Sequence, residues 1–318
     1  MHSTGIWSLA PAHMSIVLRR DSSVDGYAWF CVVQKAVRRH CRILPKERKR
    51  GINMKLSISN IAWNAQEDSA VYSMMKKYGY TGLEIAPTRI IEQAPYQNLK
   101  AAESWRKTLD FDVPSMQSIW FGKTQKLFGG EADRQELLDY TKAAVDFAKT
   151  VRCGNLVFGS PKNRALPDTA DKKLRQAGVA FFRELGDYAA QNDTVIGMEA
   201  NPAIYSTNYI NTTQEALNLI REVGSDGFLL NLDVGTMIEN KESVELLEGH
   251  ATQINHVHIS EPFLKPVVIS YDRRQLHGEL AAFLRENDYQ GYVSIEMGRT
   301  EELSVIEEIL AYVKEMFA

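Results

Sequence analysis

The chain has 318 residues, 44% apolar and 24% charged, with a formal net charge of −3, which is room for one large domain or two ordinary ones in a globular composition. No stretch approaches the roughly 18–20 consecutive apolar residues that cross a bilayer, so no membrane partner is expected. Cys31, Cys41 and Cys153 are too few and too scattered for a disulfide framework or a cysteine zinc site, which points to a reducing, cytoplasmic setting.

Charge is uneven along the chain. Residues 1–53 carry ten Lys/Arg against three Asp/Glu, a formal +7 that leaves −10 for residues 54–318. The basic residues gather in Arg38-Arg39-His40-Cys41-Arg42 and Lys46-Glu47-Arg48-Lys49-Arg50. A nucleic-acid-binding arm or a targeting peptide is one reading, but Ile16-Val17-Leu18 is too short for a signal-peptide core. The expectation is that Met54-Lys55-Leu56-Ser57-Ile58 is the natural start and that residues 1–53 are a poorly ordered extension or a non-native start.

From residue 54 the chain alternates between two periodicities. Short apolar runs occur at Leu56–Ser59, Gly82–Ala86, Val113–Ile119, Asn155–Phe158, Val195–Glu199, Phe228–Asp233, Ile254–Ile259 and Tyr292–Glu296. Between them lie longer segments with apolar residues at helical spacing, among them Glu136–Lys149, Lys173–Gln191, Glu215–Val223, Gln275–Glu286 and Leu303–Phe317. Thr212-Thr213-Gln214-Glu215 reads as a capping box opening one helix. Strict alternation implies parallel strands, and eight repeats over some 265 residues match a (β/α)8 barrel, typically about 250 residues. A doubly wound open sheet usually shows a glycine-rich turn after its first strand; Ser59-Asn60-Ile61-Ala62-Trp63-Asn64 has no glycine.

In such a barrel, catalytic groups sit at the carboxyl ends of the strands. Glu199, Asp233, His258 and Glu296 end the fifth to eighth predicted strands, so the four can converge. Each has a plainer explanation. Either glutamate would be tolerable if salt-bridged to a barrel lysine or arginine, since a lone buried carboxylate is costly. Asp233 would serve as a turn or helix cap in Asp-Val-Gly-Thr. His256 and His258 point to the same side of one strand, and His256 in particular suits a core position. The other candidates are weaker. Lys162 and Arg164 follow the fourth strand and would suit a substrate phosphate or carboxylate, although a solvated loop explains them equally well. Trp63, Glu84, Gln117 and Trp120 lie near early strand ends and would form a sugar-binding wall or simply pack. Asn201 follows Glu199 by two residues. His277 is expected to begin or cap a helix.

Across residues 54–318, and most clearly from Gly197 onward, the sequence resembles the xylose isomerase-like TIM-barrel superfamily of sugar isomerases and epimerases. The marks are Glu199 with Asn201, Asp233, His256-Val257-His258, and Gly291-Tyr292-Val293-Ser294-Ile295-Glu296. The resemblance implies one divalent metal held by Glu199, Asp233, His258 and Glu296, with Mn2+, Mg2+ or Co2+ suited to an oxygen-rich donor set. It also implies a sugar or sugar-phosphate substrate, with Glu199 and Glu296 on opposite faces of it. One would remove a carbon-bound proton to give an enediolate, and the other would return a proton. The free-ketose 3-epimerases carry a histidine three residues after the metal aspartate and an arginine six residues after the second histidine. This chain has Thr236 and Leu264 there, which leaves the sugar open. Relatives often form dimers or tetramers, so a homo-oligomer is compatible with the family.

Three other functions compete. An endonuclease IV-like phosphodiesterase needs several further histidines on the early strands, yet residues 54–249 contain none, and a core of −10 disfavours nucleic acid. A lyase of the inosose dehydratase type shares the proton abstraction and differs in expelling a hydroxyl. A non-catalytic sugar-binding barrel is the third reading.

Overall fold

A computed structural model describes residues 54–318, so the expected extension over residues 1–53 lies outside the described residues. Seven parallel strands form one sheet: β1 Lys55–Ser59, β2 Gly82–Glu84, β3 Leu156–Phe158, β4 Ile196–Met198, β5 Phe228–Asp233, β6 Ile254–Ile259 and β7 Tyr292–Ile295, in the order β2-β1-β7-β6-β5-β4-β3. After each strand, or the segment standing in for one, comes a helix. These are α1 Asp68–Tyr78, α2 Leu99–Thr108, α3 Glu131–Val151, α4 Lys172–Ala190, α5 Thr213–Val223, α6 Val234–Asn240, α7 Tyr271–Glu286 and α8 Leu303–Phe317. The fold is a TIM barrel.

The eight expected strands become seven because Val113–Ile119 does not form a regular strand. Its backbone nevertheless fills the space between β2 and β3. Leu83 N–H bonds Asp112 O, Gln117 N–H bonds Ile85 O, and Met116 N–H bonds Asn155 O, with isolated parallel bridges to both sides. Pro114 supplies the reason: it has no N–H to place in a ladder flanked on both edges.

Most strand residues are buried, as expected for strands covered on both faces. The helices turn apolar residues inward against them; α8, for example, buries Ile306, Ile309, Leu310, Val313 and Phe317. The capping box at Thr212 and Glu215 is present, and α5 ends at Gly224 in the left-handed region, φ 61°. His277 is neither the start nor the cap of α7. Ser270 caps that helix, while His277 lies buried inside it with Nδ1 2.8 Å from Tyr312 Oη. No described helix is long and apolar enough to cross a membrane.

Candidate metal centre and substrate cavity

The sheet register brings four strand ends to one place. Asp233 pairs with His258 and His258 with Ser294. Glu199 just beyond β4, Asp233 closing β5, His258 on β6 and Glu296 just beyond β7 therefore stand side by side on the carboxyl rim. One ligand atom from each lies within 4.8 Å of the others. His258 is fully buried and presents Nδ1 to both glutamates, 3.1 Å from Glu199 Oε1 and 3.2 Å from Glu296 Oε2. Asn231 Nδ2 donates to Glu199 Oε1 at 2.9 Å and Asn201 Nδ2 to Oε2 at 3.2 Å. A Cβ at Gly159 would meet Glu199 Oε2 at 2.9 Å, so a side chain there would displace the carboxylate.

Among the described residues, no lysine or arginine pairs with Glu199 or Glu296. Asp233 caps α6, with Oδ1 accepting the Thr236 N–H at 2.6 Å, and it also stands in the cluster, where Oδ2 accepts from Ser260 Oγ. Burial raises Glu296 to about 7 against the opposing pull of His258, with the charges of Glu199 and Asp233 adding to the rise. Burial, followed by the charge of Glu199, raises Asp233 to about 6. Three crowded carboxylates and one imidazole fit a divalent cation that prefers oxygen.

A pH signature follows. Both carboxyls titrate higher in the fold than in the unfolded chain, so their contribution is fully present at acid pH and is lost as pH rises through about 6–7. The metal-free protein should show a thermal midpoint that falls across that window, and added Mn2+ should remove the fall. A midpoint that is flat without metal would contradict this arrangement.

Beneath the rim lies a second polar group. Glu84 is fully buried, and its Oε2 accepts from His256 Nε2 at 2.8 Å and His258 Nε2 at 3.0 Å. Its Oε1 accepts from Gln117 Nε2 at 2.9 Å, which also donates to Ser59 Oγ at 2.7 Å. Burial alone would raise the Glu84 carboxyl, but the two imidazoles hold it below the usual carboxylate range. Burial works against charge on His258 too, yet the carboxylates of Glu84 and Glu296 keep it well above an ordinary histidine. His256 is lowered by burial, with Glu84 opposing.

This placement corrects several expectations. Glu84 lies below the cavity and not in a sugar-binding wall, and His256 beside it takes the core position and does not reach the cavity where substrate would sit. Trp63 is a core residue, with no exposed surface and Nε1 donating to Asp68 Oδ1 at 2.7 Å; Trp120 is likewise buried against Thr141 Oγ1 at 2.7 Å. Arg164 is fully buried and braces the strand ends, donating to Glu199 O at 2.9 Å, Asn201 Oδ1 at 3.0 Å and Ile210 O at 3.2 Å. Lys162 sits in an exposed turn, Pro161–Asn163. Neither cation faces the cavity, so the anion-holding role expected for Lys162 and Arg164 has no geometric support.

The cavity above the cluster measures about 230 Å3 and includes Gln117, Asn201, Tyr205 and Leu264 among its walls. Its lining holds Glu199, Asp233, Glu261 and Glu296 and no described lysine or arginine. Thr236 does not face it, because Oγ1 donates to Ala200 O at 2.8 Å. A shallower hollow of about 530 Å3, lined by Tyr78, Lys314 and Ala318, lies at the other end of the barrel, where Met54 N–H bonds Phe317 O. Sequence reasoning missed Asn231, although it shares the inward face of β5 with Asp233. It also missed Tyr205, which lies in an irregular turn and carries no periodic signal.

A sequence family described as xylose isomerase-like TIM barrel matches residues 73–316. A D-psicose 3-epimerase of Enterocloster bolteae is 28% identical over 123 residues, 38% of this chain and 40% of the relative. An L-ribulose 3-epimerase of Methylomonas sp. is 28% identical over 139 residues, 42% and 46% respectively. The matched stretches thus span less than half of either relative. Among solved structures, a 3-keto-D-glucoside 4-epimerase of E. coli superposes with a TM-score of 0.64 at 20% identity, covering 82% of this chain and 99% of that one. At that identity the likeness concerns the fold.

Proposed function

The chain belongs to the xylose isomerase-like TIM-barrel family, and from that premise we propose that it is a divalent-metal-dependent sugar epimerase or isomerase. The observation that carries this reading is the cluster of Glu199, Asp233, His258 and Glu296, gathered within 4.8 Å on the carboxyl rim beside a cavity of sugar size. The two partly matched relatives are named as sugar 3-epimerases, in keeping with it.

The four residues would hold one ion, with Mn2+, Mg2+ or Co2+ suited to the donor set. Bound there, the ion supplies Lewis-acid polarisation of a substrate carbonyl. The rest falls to the chain. Glu199 is oriented by Asn201 and Asn231, and Glu296 projects from the end of β7, next to the strand of His258, with Oε2 3.2 Å from His258 Nδ1. With the sugar carbon between them, one carboxylate takes the proton beside the carbonyl and the other, protonated, delivers a proton to the opposite face or to the neighbouring carbon. Glu84 acts from below: by accepting the His258 Nε2–H it leaves Nδ1 as the free ligand.

The test is deuterium uptake from solvent into a panel of ketoses and keto-glycosides with Mn2+ present. Expected is uptake at one carbon with the skeleton retained. Loss of water from the product would make the protein a lyase, and bound metal without exchange in any sugar would make it a binder.

A further inference from the structure

The rim of the cavity carries a feature that proton transfer does not use. Phe263 and Leu264 are consecutive apolar residues in left-handed backbone, at φ 63° and 52°, a conformation bulky side chains rarely adopt. They gain no burial by it, since Phe263 is 60% exposed and Leu264 38%. The turn is held on several sides. Leu264 N–H donates to Glu261 O at 3.0 Å and Gly298 N–H to Leu264 O at 2.7 Å. Phe263 N–H donates to Tyr205 Oη at 2.7 Å. Glu261 is itself gripped by Arg273 through bonds of 2.7 and 2.8 Å. The Tyr205 and Phe263 rings lie 5.8 Å apart, and Tyr205 and Leu264 both face the cavity. Strained backbone that presents apolar side chains to solvent beside a reactive cluster is a mark of binding and not of packing.

We propose that Tyr205, Phe263 and Leu264 form a subsite for an uncharged ring attached to the reacting sugar, so that the substrate is a neutral glycoside whose reacting sugar carries a keto group. This rests on the sugar-epimerase reading above and narrows it. The cavity, about 230 Å3, falls below the roughly 300–1,000 Å3 of pockets for drug-sized ligands. It therefore takes one sugar unit, and a substituent must extend over the rim. Its wall includes no described lysine or arginine to receive a phosphate or carboxylate substituent, Glu261 being paired with Arg273 and the other three carboxylates being the candidate ligands of the ion. Aromatic and aliphatic side chains outside it offer flat apolar faces to a ring. Tyr205 Oη accepts from Phe263 and keeps its own hydrogen to donate to the linking oxygen.

The test measures binding, so it does not depend on turnover. The full chain loaded with Mn2+ is titrated calorimetrically with matched sets of free hexoses, their 4-nitrophenyl glycosides and their 6-phosphates. For at least one hexose, the aryl glycoside should bind about tenfold or more tightly than the free sugar, and the phosphate most weakly. The tenfold ratio corresponds to about 1.4 kcal/mol. In Phe263→Ala the ratio of free-sugar to glycoside dissociation constants should fall toward one, as it should in Leu264→Ala. Equal affinities, a preference for the phosphate, a ratio unchanged in both variants, or no measurable glycoside binding would overturn the inference. Dimerisation abolished by Phe263→Ala, with glycoside binding lost as the dimer forms, would overturn it in favour of a second copy of the chain. If free ketoses exchange hydrogen while the ratio is one, the epimerase reading survives and the subsite falls. If nothing exchanges while the ratio holds, the reverse is true.

Discussion

Glu199→Gln and Glu296→Gln are each expected to lower hydrogen exchange from solvent into the substrate by roughly 10³-fold at saturating Mn2+, within the usual 10²–10⁴ attributed to general acid–base groups. Glutamine keeps the shape of the side chain, and at position 296 its amide oxygen can still face His258 Nδ1; at position 199 its NH2 group must face either the Asn231 or the Asn201 NH2, and at neither position can it carry a proton between substrate and solvent. Saturating metal separates this loss from weakened ion binding, since each glutamate is also a candidate ligand. Deuterium incorporation followed by mass spectrometry reads the effect. Two variants that both exchange at near the parental rate would end the two-carboxylate mechanism.

The second large effect is expected at a residue that touches neither cavity nor substrate. Glu84→Gln places an amide beneath His256 Nε2 and His258 Nε2, where one oxygen accepts from both, while the other accepts from Gln117. An amide has one acceptor oxygen in place of two, and its NH2 group must face either a histidine N–H or the Gln117 NH2. His258 then loses the carboxylate that fixes its ring, and the Mn2+ dissociation constant should rise about 10–100-fold, or ~1.4–2.8 kcal/mol. Titration of free Mn2+ by electron paramagnetic resonance measures it directly. An unchanged dissociation constant in a folded Glu84→Gln protein would remove Glu84 from the centre, and two ions per parental chain would recast Glu84, His256 and His258 as a second site.

The strands around the centre were legible to within a residue or two. A run such as Tyr292–Ile295 is short and rich in aromatic and β-branched residues, and these properties decide strand identity locally. Val113–Ile119 reads as a strand on its apolar content, yet Pro114 within it lacks the N–H that a regular ladder needs, and only isolated bridges form there. Glu199, Asp233, His258 and Glu296 could be brought together on paper because each closes a strand, and strand order alone then makes them neighbours. Depth was not legible. Alternation puts His256 and Glu84 on an inward face but does not say how far below the rim, and their bond joins residues 172 positions apart. Arg164 failed for a related reason: an arginine after a strand reads as a surface cation, and only the folded chain supplies the carbonyls of Glu199 and Ile210 that make its burial tolerable.

The gap in the ladder at Pro114 bears on how the molecule breathes. Between β2 and β3 the barrel wall is joined by scattered bridges around residues 112–117 and not by a continuous ladder. Sub-global opening should therefore begin along this seam, and amides such as Met116 and Gln117 should exchange with solvent before those in the middle of β6 or β7. Gln117 is also the residue that ties Glu84 to Ser59. An opening there would release the support beneath His258 while the rest of the barrel stayed folded, so that loss of the ion could precede unfolding on heating.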